Sequence, residues 1–237
     1  MQMWRTLAVV ACVVLGLSGS ARAGWLDDAT AAYARGDYLT AVNIVKPHAE
    51  LGDARAQYYL GFMYRDGQGV AQDYKTAVKW FTLAAERGFA SAQNNLGWMY
   101  RNGEGVAQDD KAAVKWYTLA AEQGDATAQS NLSWMYRNGK GVAQDYKAAV
   151  KWNTLAAEQG YATAQSNLGV MYAKGQGVAQ DYVKAHMWFN IAAIDGSDKK
   201  AAPNRDAIAE KMTPAQIAQA QELASKCIAQ KFRNCGL

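Results

Sequence analysis

The fold is decided by an 18-residue stretch at residues 92–109, AQNNLGWMYRNGEGVAQD. Its last seven residues follow the pattern Gly-x-Gly-Val-Ala-Gln-Asp, which occurs four times, starting at Gly67, Gly103, Gly139 and Gly175. Each start lies 36 residues after the previous one, and the second and third repeats share 29 of 36 positions. Near-identity at a fixed period is typical of repeat architectures. We therefore expect four structural repeats, at residues 52–87, 88–123, 124–159 and 160–196.

Each repeat is predicted to be a pair of antiparallel helices. In the first repeat, a helical wheel places the apolar side chains of Leu60 and Tyr64 on one arc, which we take as the buried face. Gly61 lies mid-helix, where glycine costs about 1 kcal/mol relative to alanine, so a small residue is expected to let the second helix approach closely. Because neither helix can bury its apolar stripe alone, we predict an all-α, right-handed α-solenoid of stacked helix pairs. The same small-residue position holds Gly97, Ser133 and Gly169, and aspartates are predicted to cap the second helices at Asp73, Asp109, Asp145 and Asp181.

These residues resemble the Sel1-like repeat, a helical relative of the tetratricopeptide repeat. The resemblance rests on the quoted run and on Ala113 and Trp116 further along the second helix. It recurs over about 145 residues, with Ser133 and the histidine at 186 as local departures. Residues 24–51 resemble a divergent leading helix pair. The chain is accordingly identified as a Sel1-like protein of the exported bacterial type.

The N-terminus is predicted to be a secretory signal peptide at residues 1–23. A basic start with Arg5 precedes an apolar run at residues 7–17, and Ala21-Arg22-Ala23 has the small-residue pattern of a cleavage site. Cleavage after Ala23 would place the protein in the periplasm or outside the cell. Two alternatives are a retained membrane anchor and lipidation at Cys12. No second apolar run is long enough to span a bilayer, so no membrane span is expected after signal removal.

Residues 197–237 leave the repeat pattern and are predicted to form C-terminal capping helices, which a solenoid needs at its end. Thr213 and Pro214 have the pattern of an N-cap followed by proline at the first helical position. Cys227 and Cys235 are the two cysteines that remain after signal removal. An even count in an oxidising compartment favours one disulfide between them, with two free thiols as the alternative.

Charge and motif content argue against several functional classes. Beyond residue 23 the chain carries 23 basic and 21 acidic side chains, a balance too even to indicate nucleic-acid binding. The sequence contains two histidines, His48 and His186, and shows neither a Gly-x-Ser-x-Gly elbow nor metal-ligand spacing. Recurrence of Gly-x-Gly in every repeat indicates a structural loop rather than a phosphate site. We predict no catalytic residue, no metal site and no cofactor, and therefore a protein that is not an enzyme.

The far side of the first helices is the candidate binding face. The resemblance to tetratricopeptide proteins implies that this side lines a concave groove that holds extended peptides. It also implies that the asparagines occupy a position that binds the peptide backbone. An amide can both donate to and accept from a main chain, and arginines one repeat apart suit the carboxylates of an acidic peptide. The alternative is packing between neighbouring first helices. The predicted contact residues are Arg65, Asn95, Trp98, Arg101, Asn131, Trp134, Arg137 and Asn167.

The leading functional hypothesis is a periplasmic or secreted adaptor that binds a protein or peptide through the concave face. An acidic ligand would suit the arginines on that face. One alternative is a cell-envelope hydrolase acting on peptidoglycan, or a factor associated with such an enzyme. A second alternative is a secreted protein that interacts with a host. An enzyme would show a polar constellation in a closed pocket, whereas an adaptor would show an open groove.

Overall fold

The computed structural model describes residues 21–194, 196–233 and 235, without the side chains of residues 21–23. Residues 1–20, which carry most of the predicted signal peptide, lie outside the described residues. Within the described part there are twelve helices and no strand. The helices are α1 Ala21–Ala34, α2 Tyr38–Glu50, α3 Ala54–Asp66, α4 Tyr74–Glu86, α5 Ala90–Asn102, α6 Asp110–Glu122, α7 Ala126–Asn138, α8 Tyr146–Glu158, α9 Ala162–Lys174, α10 Tyr182–Ala192, α11 Ala201–Ala209 and α12 Pro214–Ala229.

The chain divides into two compact units, residues 1–89 and 90–237. In the first unit, α1 packs on α2, α2 on α3 and α3 on α4. In the second unit, α5 pairs with α6, α7 with α8 and α9 with α10, while α6 packs on α7 and α8 on α9. The last two helices, α11 and α12, both pack on α10. This repeated pairing confirms the predicted all-α solenoid.

Aspartates begin the second helices, as the sequence predicts. The Asp109 carboxylate accepts hydrogen bonds from the backbone N–H groups of Lys111 and Ala112, at 2.9 and 3.0 Å. These bonds satisfy donors that have no partner inside the helix. The predicted caps of the other three second helices are confirmed too, at Asp73, Asp145 and Asp181.

In the second unit, the second glycine of the Gly-x-Gly loop permits a close approach between neighbouring repeats at Gly141 and Gly177. Gly141 has a φ of +67°, and a Cβ built on it would overlap the carbonyl oxygen of Asp110, at the start of the preceding repeat's second helix. Gly177 contacts the Tyr146 carbonyl in the same way. The loop therefore has the structural role expected from its recurrence, because only glycine combines this backbone conformation with so close a contact.

The mid-helix glycines accommodate an aromatic ring from the paired helix. A Cβ on Gly97 would lie 2.8 Å from Cδ1 of Tyr117 and 3.2 Å from the carbonyl oxygen of Ala113. The same distance is 2.9 Å from Gly61 to Phe81 and 2.7 Å from Gly169 to Phe189. The predicted close approach is confirmed, with the added finding that the missing side chain leaves room for an aromatic ring of the paired helix.

The third repeat replaces both members of this contact. Ser133 stands where the other repeats have glycine, and Asn153 stands where they have Phe or Tyr. The Ser133 hydroxyl donates to the Ala149 carbonyl at 2.8 Å, and the Asn153 amide contacts the Met171 sulfur at 3.6 Å. The Asn153 side-chain oxygen is buried with no hydrogen-bond partner among the described residues. A larger residue on one helix is therefore matched by a smaller one on the other, and an unsatisfied polar atom remains in the core.

The C-terminal helix closes the second unit against α10. The Thr213 hydroxyl and the Gln216 side chain form a capping box around Pro214, which confirms the predicted helix start. Ala220, Ala224 and Cys227 are buried along the inner side of α12. A disulfide joins Cys227 to Cys235, with the two Cα atoms 5.0 Å apart. It holds the final turn against the helix that ends the stack.

We expect Gly97→Val to destabilise the protein by about 1–3 kcal/mol, since the added side chain would push the Tyr117 ring and α6 away from α5. Urea denaturation followed by circular dichroism measures this change. Ala107→Val, at an exposed position in the loop of the same repeat, is a control for introducing a valine outside the glycine contact. Equal midpoints for Gly97→Val and wild type would contradict the account of this glycine.

Ser133→Gly and Asn153→Phe should be coupled. Alone, Asn153→Phe brings a ring onto the Ser133 side chain, and Ser133→Gly loses a hydrogen bond, so each should destabilise the protein. Together they rebuild the contact of the neighbouring repeats, so the double variant should be more stable than either single variant. A double-mutant cycle from urea denaturation should give a favourable coupling of about 1–3 kcal/mol. Additive effects would show that the two positions are independent.

Candidate functional site

Arg65, the predicted contact residue in the first unit, is engaged within its own helix. Its Nε donates to the Asp66 carboxylate at 2.7 Å, and its guanidinium carbon lies 4.3 Å from the centre of the Phe62 ring. Phe62 also lines an apolar cavity with a volume of about 270 Å³. It is lined by Leu26, Ala29, Thr30, Tyr33, Val45, Tyr58, Tyr59, Phe62 and Met63. The first helices of this unit therefore present aromatic rather than amide surface.

The predicted residues of the second repeat also make contacts within the fold. The Arg101 guanidinium stacks on the Trp134 ring, 3.7 Å from its centre. Burial raises the pKa of Tyr117 to about 12, although the nearby Arg101 guanidinium favours the ionised hydroxyl. The Asn95 amide donates to the Ser91 carbonyl at 2.8 Å. Arg101 and Asn95 thus take part in packing, the alternative that the sequence left open.

Asn131 and the two tryptophans connect the first helices of the second unit. The Asn131 amide donates to the Asn94 side-chain oxygen at 3.0 Å, which links α7 to α5. Trp98 and Trp134 are half-buried and pack against the core around Tyr117 and Leu132. These side chains are partly exposed, but their positions are fixed by the contact between neighbouring repeats.

Arg137 and Asn167 differ from their counterparts. Both line an open groove of about 740 Å³, which we call the α7–α9 groove. Within the described part of the chain, neither side chain forms a hydrogen bond, an ion pair or a ring contact. The groove is lined by Arg137, Asn138, Gln144, Tyr146, Thr163, Ser166, Asn167, Val170, Lys174, Gln176, Ser197, Asp198, Lys199, Lys200 and Asn204.

One wall of this groove comes from residues that the sequence did not single out. Residues 197–200, between α10 and α11, contribute two lysines and Asp198, whose carboxylate accepts from the backbone N–H of Lys200 at 2.9 Å. With Arg137 and Lys174, the groove has four basic side chains and one acidic side chain. Residues 197–200 follow the last repeat, so no repeat pattern pointed to them.

The two histidines occupy packed positions. His186 is 3% exposed, and its Nδ1 has no hydrogen-bond partner among the described residues. Burial lowers the pKa of His186; the charge of Arg205 acts in the same direction, and the charge of Asp206 opposes it. His48 stacks on Trp25, with the ring centres 4.9 Å apart. Throughout the described residues, no three His, Cys, Asp or Glu side chains are grouped so that they could bind a metal ion.

A search for membrane spans covered the same residues. None of their helices combines the length and the apolar character that crossing a bilayer requires.

A family model described as Sel1 repeat matches four consecutive segments of the chain, residues 54–89, 90–125, 126–161 and 162–197. These segments cover more than half of the 237 residues. They begin two residues later than the repeat boundaries proposed from the glycine pattern. No curated protein matches the chain.

Solved structures with the same fold come from several bacteria. A Sel1 repeat protein from Oxalobacter formigenes is 30% identical, with a TM-score of 0.66, and the match covers 84% of this chain and 74% of that protein. A protective antigen of uropathogenic Escherichia coli with an SLR fold is 31% identical, with a TM-score of 0.52, over 84% of this chain and 50% of the antigen. An immunity protein from Pseudomonas aeruginosa is 23% identical, with a TM-score of 0.54, and the match covers 93% of this chain and 85% of that protein.

His186 should make stability depend on pH. Its pKa is lowered in the folded state, so below about pH 6.5 the unfolded chain binds a proton that the folded chain does not. The contribution of neutral His186 to the free energy of unfolding is therefore complete above the pKa of histidine in the unfolded chain. It decreases as the pH drops through that pKa, by at most about 1.4 kcal/mol per pH unit. Valine occupies the matching position in the other repeats, at Val78, Val114 and Val150.

The variant His186→Val should accordingly lose less stability than wild type between pH 7.5 and pH 5.5. Thermal denaturation at both pH values measures the difference, and His48→Gln serves as a control at the other histidine. Equal losses in wild type and His186→Val would show that His186 does not resist protonation.

Proposed function

Because the chain belongs to the Sel1 repeat family, we propose that it is a non-catalytic adaptor that binds a segment of another protein in the α7–α9 groove. Sel1 repeat proteins generally mediate protein–protein interactions, and the family is typically a non-catalytic scaffold. The groove supports this proposal because it is open and lined by polar side chains from four helices and their connecting segments. A partner segment of several residues fits such a groove better than a small substrate, which is usually enclosed in a mostly apolar pocket.

The observation that carries the proposal is the state of Arg137 and Asn167. At the preceding repeat, the equivalent side chains are Arg101 and Asn131, and both are engaged inside the fold. A half-buried guanidinium and a half-buried amide without partners among the described residues are available to a ligand at no cost in internal contacts. The predicted contact residues therefore divide into a structural set and the set facing the α7–α9 groove.

We further propose that the protein acts in the periplasm or outside the cell. The predicted signal peptide at residues 1–23 supports export, and the disulfide between Cys227 and Cys235 suits an oxidising compartment. The likeness to a protective antigen favours interaction with a host as a second candidate function. The match spans half of that antigen, so its role is carried over here only as a proposal.

Site-specific photo-crosslinking tests the adaptor proposal. A photoreactive amino acid at Thr163, which is exposed and lines the groove, should crosslink to a protein partner in cells that produce the protein natively. The matched control carries the same amino acid at Lys115, an exposed position of α6 that does not line the groove. Mass spectrometry should find a partner peptide attached at position 163 and much less of it at position 115. Equal crosslinking from the two positions would contradict binding in this groove.

A further inference from the structure

We propose that the α7–α9 groove selects a segment rich in carboxylates, and that Val170 and Ser130 create this site by leaving Arg137 and Asn167 without internal partners. This inference rests on the proposed function, because it names the chemistry of the segment that the groove binds. It differs from the expectation drawn from the sequence, in which the arginines of successive repeats act alike. The structure instead assigns the carboxylate contact to Arg137 alone.

The first step concerns the two arginines of the second unit. Arg101 stacks on Trp134, which lies on the first helix of the next repeat. The position equivalent to Trp134, one repeat later, is Val170. Valine has no ring on which Arg137 could stack, and its smaller side chain leaves space beside the guanidinium. The cation–π contact that holds Arg101 is therefore lost at Arg137, and the space becomes part of the groove.

The second step concerns the asparagines and rests on a different replacement. Asn131 donates to the side-chain oxygen of Asn94 on the preceding first helix. The residue equivalent to Asn94, one repeat later, is Ser130. Its shorter side chain does not bond to Asn167, whose amide stays open to the groove. Two separate substitutions thus release a guanidinium and an amide on the same surface.

The third step concerns charge. Arg137 is half-buried, and Lys174, Lys199 and Lys200 are exposed along the groove. The carboxylate of Asp198 is used to cap the turn at Lys200. A carboxylate that binds Arg137 can form paired charge-assisted hydrogen bonds with the planar guanidinium. The lysines act as point charges that favour further acidic side chains on either side.

The remaining lining favours a polypeptide over nucleic acid or an anionic membrane. Amide side chains line the groove at Asn138, Gln144, Asn167 and Asn204. The amide nitrogens of Asn138 and Gln144 donate to backbone carbonyls of the fold, whereas Asn167 is open to the groove, and such an amide can pair with the donors and acceptors of a peptide main chain. Nucleic-acid binding relies on extended basic surface, whereas the chain beyond residue 23 is nearly balanced in charge. The ligand that fits is an extended acidic segment of a protein.

Fluorescence anisotropy with two labelled synthetic peptides tests the inference. The acidic probe contains six consecutive glutamates, and its neutral counterpart contains six glutamines. We expect the full-length protein to bind the glutamate peptide at least about tenfold more tightly than the glutamine peptide. Arg137→Gln should remove that preference, while the matched control Arg101→Gln should retain binding within about twofold of wild type, because Arg101 is held on Trp134.

A second pair of variants tests the cause. Val170→Trp should supply the missing ring, fill the groove and weaken binding of the glutamate peptide by about the same factor as Arg137→Gln. Ala107→Trp, at an exposed loop position two repeats earlier, controls for the addition of a tryptophan. Melting temperatures identify any variant that fails to fold, in which case the pair Arg101→Gln and Arg137→Gln decides the question.

Several results would overturn the inference and leave the adaptor proposal standing. These are equal binding of both peptides, no binding of the glutamate peptide at millimolar concentration, or an equal loss with Arg101→Gln and Arg137→Gln. Tighter binding to anionic vesicles or to single-stranded DNA than to the glutamate peptide would also overturn it. The adaptor proposal fails separately, when position 163 yields no more crosslinked partner than position 115.

Discussion

The contact between a mid-helix glycine and an aromatic ring of the paired helix is the constraint on which the stack depends. Gly97 leaves room for the Tyr117 ring to lie against α5, and the same contact recurs at Gly61 and Gly169. It sets the separation of the two helices in three of the four repeats, and in the third repeat Ser133 and Asn153 replace the two partners. Glycine is intrinsically unfavourable in a helix, so burial of the ring must more than offset that cost.

Much of the fold could be predicted because its signals are local and repeated. The Gly-x-Gly pattern gave the period, and the aspartate after it gave the start of the second helix, since both rest on backbone chemistry. The role of the second glycine could not be read in the same way. Gly141 is needed because the Asp110 carbonyl of another repeat lies against it, and a sequence pattern within one repeat does not contain that neighbour.

Two residues of the candidate site, Arg137 and Asn167, were among those predicted from the sequence. The positions on the outer side of the first helices were found from the helical wheel, and Arg137 and Asn167 are among them. The wheel treats every repeat alike, so it assigned the same role to Arg101 and Asn131. The two arginines differ in the residue 33 positions further on, which is Trp134 for Arg101 and Val170 for Arg137. The two asparagines differ in the residue 37 positions earlier, which is Asn94 for Asn131 and Ser130 for Asn167. The proposed site therefore depends on the positions at which one repeat differs from the others.

The location of the groove follows from how a repeat protein ends. Between α5 and α7, neighbouring first helices occupy these side chains: Trp134 holds Arg101 and Asn94 holds Asn131. After the last repeat, residues 197–200 contribute two lysines and Asp198, whose carboxylate accepts from the Lys200 backbone, and α11 contributes Asn204. Residues 197–200 lie outside the repeated helix pairs, so substitutions there need not disturb the contacts between repeats. The recurring contacts between repeats thus stabilise the stack, and the recognition site proposed here lies where that regularity stops.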